Sequence, residues 1–356
     1  MRPGAVIRWL TEGISRLPVG TGKNAVYVQH VSKCMTSKNT NVAALTALQS
    51  LRHTEASRNS SLGRVTSGYR VATAADDAAY WSIATTMRSD NRSLSAVQDS
   101  LSMAAGVLDT ASSGMTTSTD LMMQVKARLV MARESGVSRD KINTELDEIR
   151  DQFRSIAESS TFSQENWLLR SETSDRDDRN LVGSFVRDSS GMVSVNTIDY
   201  HIGGKPGTSE VNYLIDDVDG EGGILTGSGF AKDLGTAKTW VMFNGAKAST
   251  NYDVIRLDSS STNADIDDMI KVVDAMAERM NGVASTLGAM GNRVDMQYEF
   301  SKDLQGSLSK GVGNMVDADM DLESSRLKAL QTREQLNVNS LSIVNTSVQS
   351  LSQLLQ

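Results

Sequence analysis

Mostly apolar residues recur at alternating three- and four-residue steps over two long stretches of the chain, and the segment between them lacks this pattern. The first stretch comprises Leu94, Val97, Leu101, Ala104, Leu108, Ala111, Met115, Ser118, Met122, Val125, Leu129 and Ala132. The second comprises Ile266, Ile270, Val273, Ala277, Met280, Ala284, Leu287, Gly291, Val294 and Tyr298. Steps that average 3.5 residues keep a stripe on one face of an under-wound helix. The pattern predicts a mainly α fold, a long antiparallel coiled-coil-like helical bundle built from both chain ends.

Glycine and proline usage indicates where the helices are interrupted. The three prolines are Pro3, Pro18 and Pro206, so no proline breaks a helix over most of either half. About a dozen of the 27 glycines lie within residues 183–245. We therefore predict a small β-rich inserted domain, carried at the tip of the bundle.

Local signals divide the chain further. A short amphipathic helix is expected over residues 41–51, interrupted at Ser67-Gly68, and a long helix over residues 78–133. A hinge is expected at residues 311–313, between the second long helix and a terminal helix. β-Branched and aromatic residues favour four strands, with a turn at residues 188–191 between the first two. These strands are residues 181–186, 192–198, 211–215 and 239–243.

Residues 1–34 differ in composition from the rest of the chain. They contain two of the three prolines, the single cysteine (Cys34) and an excess of basic residues, and Arg8 interrupts their apolar run. Two interpretations are open: a targeting or regulatory tail, or upstream sequence translated from a misplaced start. We favour the second, with Met35 as the initiator.

Charge and composition restrict the partners. The net charge is −7 and the pI is about 5.2, which argues against nucleic acid as the main partner because phosphate binding needs a basic face. No apolar run is long enough to span a bilayer, so no membrane partner is expected.

The sequence provides no convincing chemical site. Residues 216–221 resemble part of a calcium loop but lack the acid that the twelfth position requires, so a solvated acidic turn is expected. Asp317, Asp319 and Asp321 are expected to cap a helix. We predict no catalytic residue, no metal site and no cofactor.

Motifs at both ends resemble bacterial flagellin, most closely the flagellins of α-proteobacterial soil bacteria. The first is Gly-Arg-Val-Thr-Ser-Gly-Tyr-Arg-Val at residues 63–71, followed by Ala-Ala-Asp-Asp-Ala-Ala at 74–79; the second includes Asn292-Arg293 and Asp-Ala-Asp-Met at 317–320. The signature residues are Ser67, Gly68, Arg70, Asp76, Asp77, Asn292, Arg293, Asp317 and Asp319. The resemblance covers residues 35–170 and 264–356. Tyr80-Trp81 departs from the glycine-leucine that the family often has.

The outermost segments, residues 36–56 and 316–356, carry apolar faces that the rest of the chain is too small to cover. A segment that cannot bury its apolar face is expected to stay mobile until a partner covers it. We therefore expect these segments to be disordered in the free protein and helical in a polymer. The candidate polymerisation residues are Val42, Leu45, Leu48, Leu51, Leu327, Leu330, Leu341, Val344, Val348, Leu351 and Leu355.

The resemblance implies a non-enzymatic subunit that polymerises head to tail into a secreted, extracellular flagellar filament, also with other flagellins. Residues 35–77 and 316–356 would line the inner core, residues 78–170 and 264–315 would form the bundle, and residues 171–263 the outer surface. Implied partners are the export apparatus, an export chaperone, and hook-associated and cap proteins.

Three alternatives remain open at this point. A hook–filament junction protein would share both end signatures. An enzyme displayed on the filament would need chemistry in residues 181–264, where no acid–base or metal cluster is evident. A generic coiled-coil adaptor would explain the stripes but not the end signatures.

Overall fold

A computed structural model describes residues 41–134, 136–173, 178–248, 251–258 and 260–354, apart from the side chains of 348 and 351–354. The predictions for residues 1–34 and Met35 lie outside these residues, as does Leu355.

The chain forms two compact units, one of Met1–Gly63 with Leu322–Gln356 and one of Arg64–Asp321. In chain order the elements are α1 (Val42–Ser67), α2 (Ala78–Ala132), α3 (Arg139–Ser159), β1 (Thr161–Phe162), β2 (Glu165–Asn166), β3 (Leu169–Arg170), β4 (Asp178–Arg187), β5 (Val193–His201), β6 (Ile215–Asp216), α4 (Gly229–Leu234), β7 (Trp240–Val241), β8 (Asp253–Val254), α5 (Asn263–Val316) and α6 (Met320–Leu354).

The second unit is built on α2 and α5, which pack antiparallel along most of their lengths. Every residue of the predicted stripe on α2 is buried, and α5 alternates buried and half-buried stripe residues. Lys126 Nζ lies 2.5 Å from Asp274 Oδ1, and Arg133 pairs with Asp267. Helix α3 adds Leu146 and Phe153 to the same core. The prediction of two long paired helices is confirmed.

Helix α5 ends at Val316, so the predicted hinge at residues 311–313 is wrong. Val312 and Val316 are buried against Val71 and Ala84 in a small apolar cluster. This packing keeps the chain helical at Gly311 and Gly313, because tertiary contacts override weak helix propensity.

Strands β4 and β5 form the antiparallel hairpin that the sequence predicts. The turn is confirmed, since the Asp188 backbone N–H donates to the Met192 carbonyl and Gly191 has φ 87°. Strand β4 lies along α2, where Arg187 Nε is 3.0 Å from both carboxylate oxygens of Asp90. These strands therefore lie beside the bundle, whereas the prediction had placed the whole insert at its tip.

The rest of the insert has less strand than predicted. Of residues 211–215 and 239–243, only short pairs at β6 and β7 are strand, each parallel to a partner. Elsewhere in the insert, the backbone N–H and carbonyl groups of the glycine-rich segments form hydrogen bonds in turns rather than in strands. Tyr213 and Phe230 are buried in the same core as the long helices, and Arg279 Nε of α5 donates to the Val211 carbonyl at 2.8 Å. The insert and the bundle thus share one core.

Two glycines let the chain after α3 approach α2 closely. A Cβ atom on Gly106 would lie 2.6 Å from the Phe162 ring, and one on Gly114 would lie 2.4 Å from Ser160 Oγ and 2.6 Å from Leu168 Cδ1. By contrast, Gly282 of α5 is exposed and has nothing within 4 Å of such an atom.

This contrast gives a matched pair of substitutions. Gly114→Ala should lower the free energy of unfolding by about 1–3 kcal/mol because it overpacks the contact with Leu168. Gly282→Ala should raise it by about 0.5–1 kcal/mol because alanine restricts the unfolded chain. Denaturant unfolding checks both. Equal effects of the two changes would contradict the close approach at Gly114.

A second prediction concerns the loss of folding stability at low pH. Thr262 and Asp265 form a capping box at the start of α5, and hydrogen bonds from Thr262 lower the pKa of Asp265 from 3.8 to about 2. A lowered folded-state pKa stabilises the fold above the unfolded-state pKa, and this contribution is lost as the pH falls from about 4 to 2. Asp265→Asn should therefore flatten the decline of stability over that window. A decline identical to that of the unsubstituted chain would refute this cap.

Candidate assembly surfaces

In the unit of Met1–Gly63 with Leu322–Gln356, the helices α1 and α6 are joined by polar pairs. Ser61 Oγ donates to Glu323 Oε2 at 2.8 Å, Arg58 Nη1 lies 3.2 Å from Glu334 Oε2, and Asn337 Nδ2 donates to Thr54 Oγ1 at 2.9 Å. Residue numbers rise on one helix as they fall on the other, so the helices are antiparallel here. Thr54, Ser61 and Glu323 are buried.

The residues on the face of α6 toward α1 are three or four positions apart. It comprises Glu323, Leu327, Leu330, Glu334, Asn337, Leu341 and Val344, all buried or half-buried. Glu334 and Asn337 interrupt the apolar residues of this face, and both bond to α1. The side chains of Val348 and Leu351 lie outside the described residues.

The four candidate residues of α1 do not share one face. Leu48 and Leu51 are half-buried, whereas Val42 and Leu45 are 63% and 56% exposed. Residues at successive three-residue steps drift by about 60° per step on an α-helix. The interpretation of Val42, Leu45, Leu48 and Leu51 as one apolar face is therefore wrong, and the first two lie away from α6.

Helix α6 also carries exposed apolar residues that the sequence analysis missed. Leu336 is 61% exposed and Ile343 is 68% exposed. They are seven residues apart, so they lie on nearly the same side of the helix. Their seven-residue spacing is visible in the sequence.

In the unit of Arg64–Asp321, the first signature motif closes the turn between α1 and α2. Gly68 has φ 75°, a conformation that favours glycine, and its carbonyl accepts from the Ala318 N–H at 2.9 Å. The Tyr69 N–H donates to Ser67 Oγ at 3.2 Å. Arg70 Nη2 donates to the Met315 carbonyl at 2.6 Å, which satisfies a carbonyl at the end of α5.

Asp76 and Asp77 organise the start of α2. Asp76 Oδ2 accepts from the Ala72 N–H, the Thr73 N–H and the Thr73 hydroxyl. The bonds from Thr73 lower the pKa of Asp76 below its usual 3.8. Asp77 is the N-cap, and its Oδ1 accepts from the Ala79 and Tyr80 N–H groups at 3.0 and 3.1 Å.

The second signature motif has mixed roles. Asp317 is the C-cap residue of α5 and pairs with Tyr69 in an isolated bridge. Asp319 Oδ1 accepts from the Asp321 N–H at 3.1 Å just before α6, so the capping prediction is confirmed for Asp319. Asn292 and Arg293 are exposed in the middle of α5.

The acidic turn in the insert is not solvated as expected. Asp216 and Asp217 are buried, and burial raises the pKa of Asp216 above its usual 3.8. Asp216 Oδ2 accepts from the Gly222 N–H at 2.9 Å and lies 3.4 Å from Arg170 Nη1. Within the described residues, no group of three or more His, Cys, Asp or Glu side chains is arranged to hold a metal ion.

Comparisons with known proteins agree with the family resemblance of the two end motifs. Residues 39–173 match the family model for the bacterial flagellin N-terminal helical region, and residues 270–355 match that for the flagellin C-terminal helical region. Flagellin C of Rhizobium meliloti (strain 1021) is 44% identical over 327 residues, covering 90% of this chain and all of the relative. The chain belongs to the flagellin family.

Other relatives are also flagellins. Flagellin D of Rhizobium meliloti (strain 1021) is 38% identical over 399 residues, covering 90% of this chain and 99% of that relative. A crystal structure of Bacillus cereus flagellin shares 17% identity and a TM-score of 0.35, covering 57% of this chain and 88% of that one. The resemblance to α-proteobacterial flagellins is confirmed by the Rhizobium relatives. The hook–filament junction alternative is not better supported.

As a flagellin, the chain is a structural subunit of the bacterial flagellar filament. Its two family regions contain the paired helices α1 with α6 and α2 with α5. No helix among the described residues is long and apolar enough to cross a membrane.

The departure from the family pattern at Tyr80-Trp81 leaves aromatic surface uncovered in this flagellin. Both side chains are exposed, and Ile83 beside them is exposed as well. The Arg70 guanidinium lies 5.6 Å from the centre of the Tyr80 ring, within the range of a cation–π contact. Arg70 thus links this aromatic surface to the end of α5.

The cap at Asp77 can be tested directly. Asp77→Ala should lower the free energy of unfolding by about 1 kcal/mol, because two N–H groups at the start of α2 lose their acceptor. Asp77→Asn retains a side-chain oxygen at the same place and should cost much less. Thermal unfolding of both variants is the measurement. An asparagine variant as unstable as the alanine variant would show that charge, not capping, matters there.

Proposed function

We propose that α1 and α6 together form the inner contacts of a head-to-tail polymer of this chain. The observation that carries this proposal is the exposed apolar surface of the pair, at Val42 and Leu45 of α1 and at Leu336 and Ile343 of α6. Apolar side chains on several sides of a thin helix pair favour burial between neighbouring subunits. A repeated head-to-tail contact that does not close produces a helical filament.

The same pair gives a reason for folding on assembly. Much of the seam between α1 and α6 is polar, so the pair alone gains little apolar burial to offset the entropy of ordering two helices. Neighbouring subunits supply the missing apolar cover. The two terminal segments are therefore ordered fully only in the polymer.

The wider assignment follows the family. Residues 35–77 and 316–356 form the inner core, residues 78–170 and 264–315 the bundle around it, and residues 171–263 the outer surface. The subunit is secreted through the flagellar export apparatus with an export chaperone, and the filament meets hook-associated and cap proteins at its ends. It polymerises with itself and with other flagellins of the same cell.

This role requires no catalysis. Asp216, the buried carboxylate that most resembles a reactive group, is held by Arg170 and two backbone N–H groups. Glu221 is likewise engaged by Ser228 and Tyr252. Such contacts indicate structural roles.

Charge introduced on the outward surface of α6 tests the proposal. Ile343→Asp should raise the critical concentration for polymerisation roughly 10- to 100-fold, because burying an isoleucine contributes about 1.5–3 kcal/mol and an aspartate cannot replace it. Gln335→Glu adds the same charge at an exposed position about 12 Å away along the helix, on the polar side opposite α1, and should change it little. Sedimentation of polymer from purified monomer gives the values.

Deletion of residues 344–356 provides an independent variant, expected to abolish filament formation. Circular dichroism shows whether the long helices of each variant remain folded. Normal filaments from both the Ile343→Asp variant and the deletion would exclude the proposed role of the terminal helices.

A further inference from the structure

We infer that the three polar pairs between α1 and α6 fix the register of these helices and thereby select the one alignment that can assemble. The pairs are Ser61 with Glu323, Arg58 with Glu334, and Thr54 with Asn337. We call them the polar ladder. The inference rests on the proposed function of the helix pair and adds a specific role for residues inside it.

The ladder occupies positions that an ordinary seam would fill with leucine. Glu323, Glu334 and Asn337 belong to the same three–four series as Leu327, Leu330 and Leu341. The polar groups are well matched: Asn337 donates to Thr54 Oγ1, and the Thr54 hydroxyl donates onward to the Ser50 carbonyl at 2.9 Å. Ser61 and Glu323 are both buried, so their bond is shielded from water.

Apolar contacts alone would not fix this alignment. Sliding α6 by one heptad keeps the same faces together and sets Leu330 against Thr54 and Leu327 against Arg58. Apolar burial is non-directional and changes little in such a slip. Glu334 and Asn337, however, would then face Leu51 and Ala47 and lose their partners. Polar residues in a coiled-coil seam specify register in this way, at a cost in stability.

Register matters because the outward apolar residues lie on different helices. Val42 and Leu45 belong to α1, while Leu336 and Ile343 belong to α6. A slip of one heptad would move one set relative to the other by about 10 Å along the axis. Subunits in different registers could not repeat the same contact, so a regular filament needs one register in every copy.

Charge exchange tests the ladder. Arg58→Glu and Glu334→Arg, each alone, place like charges together and should raise the critical concentration about tenfold. The double exchange restores opposite charges and should return it to within about threefold of the unsubstituted chain. Lys328→Glu, at an exposed position on the side of α6 away from α1, is the matched control and should have little effect.

A second pair of substitutions separates register from stability. Thr54→Leu combined with Asn337→Leu should keep or raise the helix content, because it replaces a buried polar pair with an apolar one. The filaments should nevertheless lose their single helical twist, measured by electron microscopy. A residue pair with a merely structural role would leave the twist uniform.

Two results would overturn the inference: a double charge exchange as defective as its single variants, or uniform filaments with the native twist from the leucine pair. If Ile343→Asp still blocks assembly in that case, the terminal-helix contacts stand and only the ladder fails. If Ile343→Asp also assembles normally, the proposed function fails with it.

Discussion

The antiparallel contact between α2 and α5 is the interaction on which the unit of Arg64–Asp321 depends. Its seam is apolar from Leu94 to Ala132 on one helix and from Ile266 to Val294 on the other. Helix α3, the hairpin and the glycine-rich loops all attach to this pair and share its core. An apolar seam of this length accounts for a bundle that folds within one chain, since burial of many aligned side chains offsets the entropy of two long helices.

The parts of the fold that could be predicted are those that repeat. On α2, a three–four spacing sustained over a dozen positions places these residues on one face of the helix, and that face is the one buried in the structure. The hairpin turn at Asp188 and Gly191 was equally predictable because its residues specify the turn locally. The predictions fail where tertiary contacts determine the local structure. Packing of Val312 and Val316 keeps α5 helical past two glycines. The loops around Ile215 form hydrogen-bonded turns rather than long strands.

The candidate site was predictable to a different extent. The signature residues could be recognised by resemblance, but only the structure gives their physical roles, as with Gly68 in a left-handed turn and Asp77 capping α2. The polar ladder could not be found from α6 alone. Glu334 and Asn337 interrupt an apolar stripe, and their partners Arg58 and Thr54 lie nearly 300 positions away on a helix whose own pattern drifts around its axis.

We therefore propose that the two helix pairs meet different requirements of a filament. The α2–α5 seam is apolar and is buried within one chain. The α1–α6 seam is polar at its centre and leaves apolar residues such as Ile343 exposed, which is why we propose that other copies complete it. A strongly apolar terminal seam would hold the pair closed in the monomer and tolerate several registers. In the proposed assembly, a polar seam is less stable in the monomer, but it forms in one alignment and is completed only by contact with another subunit.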